Sequence, residues 1–82
     1  GKGGLTETSV DIRLVLREAL IRQAPVIALA HNHPSGNPRP SADDNRLTDK
    51  LQKACQMMNI RLIDHIIVAD ERYYSYSNEG LL

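Results

Sequence analysis

The sequence has no Trp and no Phe, and its aromatics are Tyr73, Tyr74 and Tyr76 alone. Any core must therefore be aliphatic. A single cysteine, Cys55, excludes an internal disulfide and a multi-cysteine zinc site. No apolar run approaches the ~20 residues that a membrane-spanning helix needs. There is no basic block: 10 Lys+Arg balance 10 Asp+Glu, for a formal net charge of zero. Proteins that grip nucleic acid through phosphates carry a basic stripe, so direct nucleic-acid binding is not expected. No signal-peptide pattern is visible, and a cytoplasmic location is the expectation. An initiator Met is also missing. Gly1-Lys2-Gly3-Gly4 reads as the start of a fragment, so the chain is expected to be the N-terminally truncated, C-terminal portion of a larger protein.

What is present fits one small α/β domain spanning residues 1–82, with 41% hydrophobic residues. Ile12, Val15, Leu16, Ala19 and Leu20 recur at helical spacing. Ser9 or Asp11 is placed to cap that helix, and Pro25 to close it. Val26 to Ala30 is a continuous apolar run, which suits a strand covered on both faces. Residues 32–40 hold three prolines and a glycine and read as a loop. A second helix is predicted from Ser41, with Leu47, Leu51, Ala54 and Met58 inward and a stop at Asn59. Arg61 to Ala69 reads as a strand, residues 70–72 as a turn, and Tyr73 to Ser77 as a short strand. The order is α-β-α-β-β. A covered first strand needs neighbours on both edges, so a preceding hairpin is expected outside the chain.

The chemistry concentrates between the first strand and the second helix. Side chains two apart on a strand point the same way, so His31 and His33 can face one point. Asp44, in the first turn of the next helix, is the expected third ligand. Two nitrogens and one oxygen leave a fourth position for water, the mark of a catalytic zinc site. Zinc lowers the pKa of such a water to ~7. Backbone N–H groups at the helix start can steady developing negative charge. Each part alone has a plainer explanation. An H-x-H pair often arises by chance, and Ser41-x-x-Asp44 alone reads better as a helix-capping arrangement. Capping and ligation are compatible. Asp43 is the alternative acid, though solvent exposure suits it better.

Together, His31-Asn32-His33 and Ser41-Ala42-Asp43-Asp44, separated by residues 34–40, resemble the JAMM (JAB/MPN) metallopeptidase signature. The flanking HNHPSGNPRPS, VIALA and DHIIV segments, and the ending from Tyr73 to Gly80, resemble its RadC-like branch. The resemblance covers essentially the whole chain. It implies a three-layer α/β/α, cytidine deaminase-like domain around a mixed sheet. It implies zinc on His31, His33 and Asp44, and Ser41 hydrogen-bonded to the attacking water or the oxyanion. It also implies a general-base glutamate on an upstream strand, and a peptide or protein substrate. Glu7 follows Gly3-Gly4 and reads as a solvated turn residue, and Glu18 as a surface charge on the first helix. The base is therefore expected outside this chain. RadC-like proteins also carry a DNA-repair label, which no basic surface here supports.

Among the remaining residues, His65 is either a partner that orients a ligand or a hydrogen-bonded strand histidine, the second being favoured. Tyr73, Tyr74 and Tyr76 read as strand packing with exposed hydroxyls. Cys55 reads as a small apolar helix residue, Asp64 as a partner for an arginine, and Arg39 as a solvated loop residue. Zinc deaminases require H-x-E and P-C-x-x-C, which are missing. Two functional classes stay open: a zinc hydrolase of amide or isopeptide bonds, and a non-catalytic, metal-stabilised module in DNA processing. A metal-dependent nuclease is disfavoured by the balanced charge.

Overall fold

A computed structural model describes residues 10–82. The elements are α1 (Ile12–Ile21), β1 (Val26–Asn32), α2 (Ala42–Met57), β2 (Arg61–Ala69) and β3 (Arg72–Ser75). The α-β-α-β-β order is as expected. The Asp11 carboxylate caps α1 by accepting from the Arg13 N–H; Ser9 lies outside the described residues. The helix ends before Pro25 can act. Gln23 turns left-handed (φ 53), and Ala24 N–H bonds the Ala19 carbonyl at 2.9 Å. Asn59 (φ 57) ends α2 in the same way, with Ile60 N–H on the Cys55 carbonyl at 2.8 Å. Asparagine tolerates that conformation, as its place in the sequence suggested.

The sheet is mixed, in the order β1-β2-β3. β1 pairs parallel with β2 across the α2 crossover, and β2 pairs antiparallel with β3. Ala19, Leu51, Cys55, Ile60 and Leu62 form a buried cluster, against which Ile12, Val15, Leu16, Ile27 and Leu29 pack. Both helices thus feed one core. Three sequence expectations need correction. Among the described residues β1 is an edge strand with one face covered: Ile27, Leu29 and His31 are half-buried, the residues between them are exposed, and Val26 is 46% exposed. β3 spans Arg72–Ser75 rather than Tyr73 to Ser77, because the chain turns at Tyr76. The inward stripe of α2 is Asp44, Thr48, Leu51 and Cys55. Its period is the expected one, but two of its four members are polar, and Met58 is 47% exposed.

One irregularity positions the site. The pairing Ile27↔Leu62 is followed by Ala28↔Asp64, so Ile63 is an extra residue in β2. Such a bulge reverses which side chains face inward. Leu62 faces the core before it; His65, Ile67 and Ala69 are buried after it. Without the bulge His65 would point to the other face.

Candidate metal centre

His31 is the last inward residue of β1, following Ile27 and Leu29. His33 continues the alternation, because its N–H still bonds the Val68 carbonyl at 2.9 Å. Pro34, with no N–H, then leaves the ladder. The loop back to α2 is pinned by Gly36. Its N–H bonds the His33 carbonyl, and its own carbonyl accepts from the Arg72 guanidinium at 2.7 Å. Gly36 has φ +85, where an L side chain is strained, and a Cβ there would meet Asp70 Oδ2 at 2.7 Å. Asp70 is exposed and can swing away; the backbone cannot. Gly36→Ala is therefore expected to cost about 1–2 kcal/mol, read as a lowered melting temperature that Asp70→Ala in the same chain does not restore.

Asp44 is the third residue of α2. Ser41 Oγ accepts the Asp44 N–H at 3.1 Å, and Asp44 Oδ2 accepts the Ser41 N–H at 2.8 Å. This capping box is the plainer explanation offered by the sequence, and it is present. It also aims the carboxylate. Asp44 Oδ1 lies 3.3 Å from His31 Nε2, and Oδ2 lies 3.0 Å from His33 Nε2. One donor atom from each of His31, His33 and Asp44 falls within 4.8 Å of the others. His33 and Asp44 are buried and His31 half-buried. Asp43, by contrast, is exposed and pairs with Arg46.

The donor chemistry suits a cation. His33 Nδ1 lies 2.9 Å from the Asn37 carbonyl oxygen. A carbonyl only accepts, so Nδ1 carries the hydrogen and Nε2 turns to Asp44. Only a proton or a metal ion on Nε2 satisfies two electron-rich atoms at that distance. Burial raises the Asp44 carboxyl, but hydrogen bonds from Ser41 and the neighbouring His31 and His33 hold it below the usual carboxylate value. It is ionised and ready to ligate. The trio can hold a metal ion.

Several residues behave differently from their sequence reading. His65 is fully buried, and its Nε2 lies 3.0 Å from His31 Nδ1. It is at once a hydrogen-bonded strand histidine and a neighbour of a candidate ligand. Burial, then the nearby His31, lowers its pKa to about 4. Asp64 bonds no arginine among the described residues. It accepts from Ser75 Oγ (2.6 Å), Ser77 N–H (2.9 Å) and His65 N–H (2.7 Å), and so fastens the end of β3 to β2. Burial raises the Asp64 carboxyl, but these bonds leave it below the usual value. Tyr76 is buried, not exposed; its hydroxyl donates to Asn45 Oδ1 at 2.7 Å and its ring stacks on His65. Thr48 was missed. Its signal was its place one turn after Asp44 on α2.

A family profile described as the RadC-like JAB domain matches residues 1–81. The chain belongs to the RadC-like JAB domain family. A UPF0758 protein of Porphyromonas gingivalis is 49% identical over 82 residues, covering 99% of this chain and 36% of that protein. A UPF0758 protein of Streptococcus gordonii is 47% identical over 77 residues, covering 94% and 34%. One from Bordetella avium is 51% identical over 81 residues, covering 99% and 36%. The chain thus spans about a third of the length of these relatives. The H-x-H and S-x-x-D segments of this RadC-like JAB chain are the parts that its fold brings together. No helix among its described residues is long and apolar enough to cross a membrane.

Proposed function

We propose that this RadC-like chain is the metal-binding portion of a zinc-dependent hydrolase of amide or isopeptide bonds, within a three-layer α/β/α JAB/MPN domain. The observation that carries the reading is the convergence of one ring nitrogen each from His31 and His33 and a carboxylate oxygen of Asp44 within 4.8 Å. When bound, zinc supplies a water of lowered pKa and a Lewis acid for the scissile carbonyl.

The protein's own groups divide the remaining work. His31 and His33 present ring nitrogens from a strand end, and Asp44 contributes one negative charge from a helix start. Ser41 Oγ accepts the Asp44 N–H, which leaves its hydroxyl hydrogen to donate to a substrate oxygen gaining negative charge. A glutamate outside the described residues moves the proton. Glu7 lies outside them too, and Glu18 is exposed and faces Arg22 at 3.4 Å, as a surface charge does. Proton transfer by a placed side chain contributes typically about 10²–10⁴-fold. Residues 10–82 alone are thus expected to bind metal and hydrolyse poorly. The expected substrate is a peptide or protein and the expected setting cytoplasmic.

One observation favours a second reading, a non-catalytic module in DNA processing. Among the described residues, the only acid in the metal-competent group is Asp44, already a ligand. The test is made on the full-length protein loaded with zinc and offered peptide and isopeptide-linked substrates. Hydrolysis that EDTA abolishes and zinc restores is the expected result. A full complement of zinc with no turnover of any substrate would favour the module.

A further inference from the structure

Behind His31 runs a chain of polar groups that the H-x-H and S-x-x-D segments do not contain. His31 Nδ1 lies 3.0 Å from His65 Nε2, and His65 Nδ1 lies 2.6 Å from Thr48 Oγ1. Thr48 Oγ1 in turn lies 2.9 Å from the backbone carbonyl oxygen of Asp44. His65 and Thr48 are buried, at 0% and 5% exposure. The Tyr76 ring lies parallel to the His65 ring (interplanar angle 4°, centroids 4.9 Å apart), which fixes its plane. The β2 bulge turns His65 to this face at all.

Hydrogen counting gives the chain a direction. The Asp44 carbonyl can only accept, so the single Thr48 hydrogen goes to it. Thr48 Oγ1 then accepts from His65 Nδ1–H. A neutral imidazole has one N–H, so His65 Nε2 is an acceptor and takes the hydrogen on His31 Nδ1. His31 is left with its lone pair on Nε2, the atom beside Asp44. The opposite direction would place a hydrogen on His31 Nε2 and block ligation.

We propose that Thr48 and His65 are positioning residues that hold His31 as the Nδ1–H form, with Nε2 available to a metal ion. The inference rests on the metal-site reading above. It concerns how the site is held, not which bond is cleaved.

The test uses the full-length, zinc-loaded protein with ¹⁵N-labelled histidine. Long-range ¹⁵N–¹H spectra are expected to place hydrogens on Nδ1 of both His31 and His65. In competition with a chelator, His65→Leu is expected to bind zinc about 10–100-fold more weakly. His65→Gln, whose amide can accept from His31 and donate to Thr48, is expected to stay close to the wild type. Thr48→Val keeps the side-chain shape and removes the hydroxyl. It is expected to shift His65 toward its Nε2–H form and to weaken zinc binding even if His65→Leu fails to fold. A hydrogen on His65 Nε2 in the zinc-loaded wild type overturns the proposal. So does His65→Leu or Thr48→Val with wild-type affinity, and in both cases the metal site itself stands. A wild type that takes up no zinc overturns both readings.

Discussion

Asp44→Asn in the full-length protein is expected to remove about one equivalent of bound zinc, with affinity falling by more than the ~100-fold that loss of a supporting group costs. Charge and geometry both favour the carboxylate. Asp44 supplies the sole anionic donor of the trio, and both of its oxygens lie within 3.3 Å of an imidazole Nε2. Asparagine keeps the shape, and its amide oxygen can still accept the Ser41 N–H, so much of the helix cap survives. Ser41→Ala separates the two roles. It removes the acceptor for the Asp44 N–H, costs about 1 kcal/mol of stability, and is expected to leave most of the zinc in place. Elemental analysis of the purified variants reads the first effect and urea melts the second. Equal zinc content in Asp44→Asn and the wild type would refute the ligand assignment.

Acid is expected to destabilise the metal-free protein in two stages. The first belongs to His65. Its folded pKa is about 4, below the ordinary 6.5, because burial disfavours its charged form. The unfolded chain therefore takes up a proton first as pH falls through 6.5, and stability drops until about pH 4. At ~1.4 kcal/mol per unit, this amounts to about 3 kcal/mol. The second stage belongs to Asp44 and Asp64, both held below the ordinary carboxylate value. Their contribution is present above the unfolded value near 3.8 and is lost as pH falls through the lower folded values. Urea midpoints measured in chelator at pH 7, 5.5, 4.5 and 3.5 should fall throughout. His65→Gln should flatten the curve above pH 4.5 and leave the lower stage. A wild-type midpoint unchanged between pH 7 and 4.5 would contradict the assignment of a neutral, buried His65.

Much of this was legible in the residues. The helical stripes and the apolar run gave the element order, and the spacing of His31, His33, Ser41 and Asp44 gave the cluster. Those features are local, and local spacing survives folding. What stayed hidden depends on contacts distant in sequence. The single extra residue at Ile63 leaves no mark in an apolar stretch, yet it decides whether His65 faces the site or the other side of the sheet. Thr48 looks like an ordinary helix residue until β2 brings His65 beside it. Leu51 was placed inward correctly, but hydrophobic spacing favoured Leu47 and Ala54 over the buried Thr48 and Cys55. The helix turns polar residues inward there to serve the histidines.

The most direct measurement is an anomalous-scattering map at the zinc edge from crystals of the full-length protein grown with zinc. It should give one peak within about 2.0–2.2 Å of His31 Nε2, His33 Nε2 and an Asp44 oxygen. Zinc bound elsewhere, with no peak among these three side chains, would contradict the account.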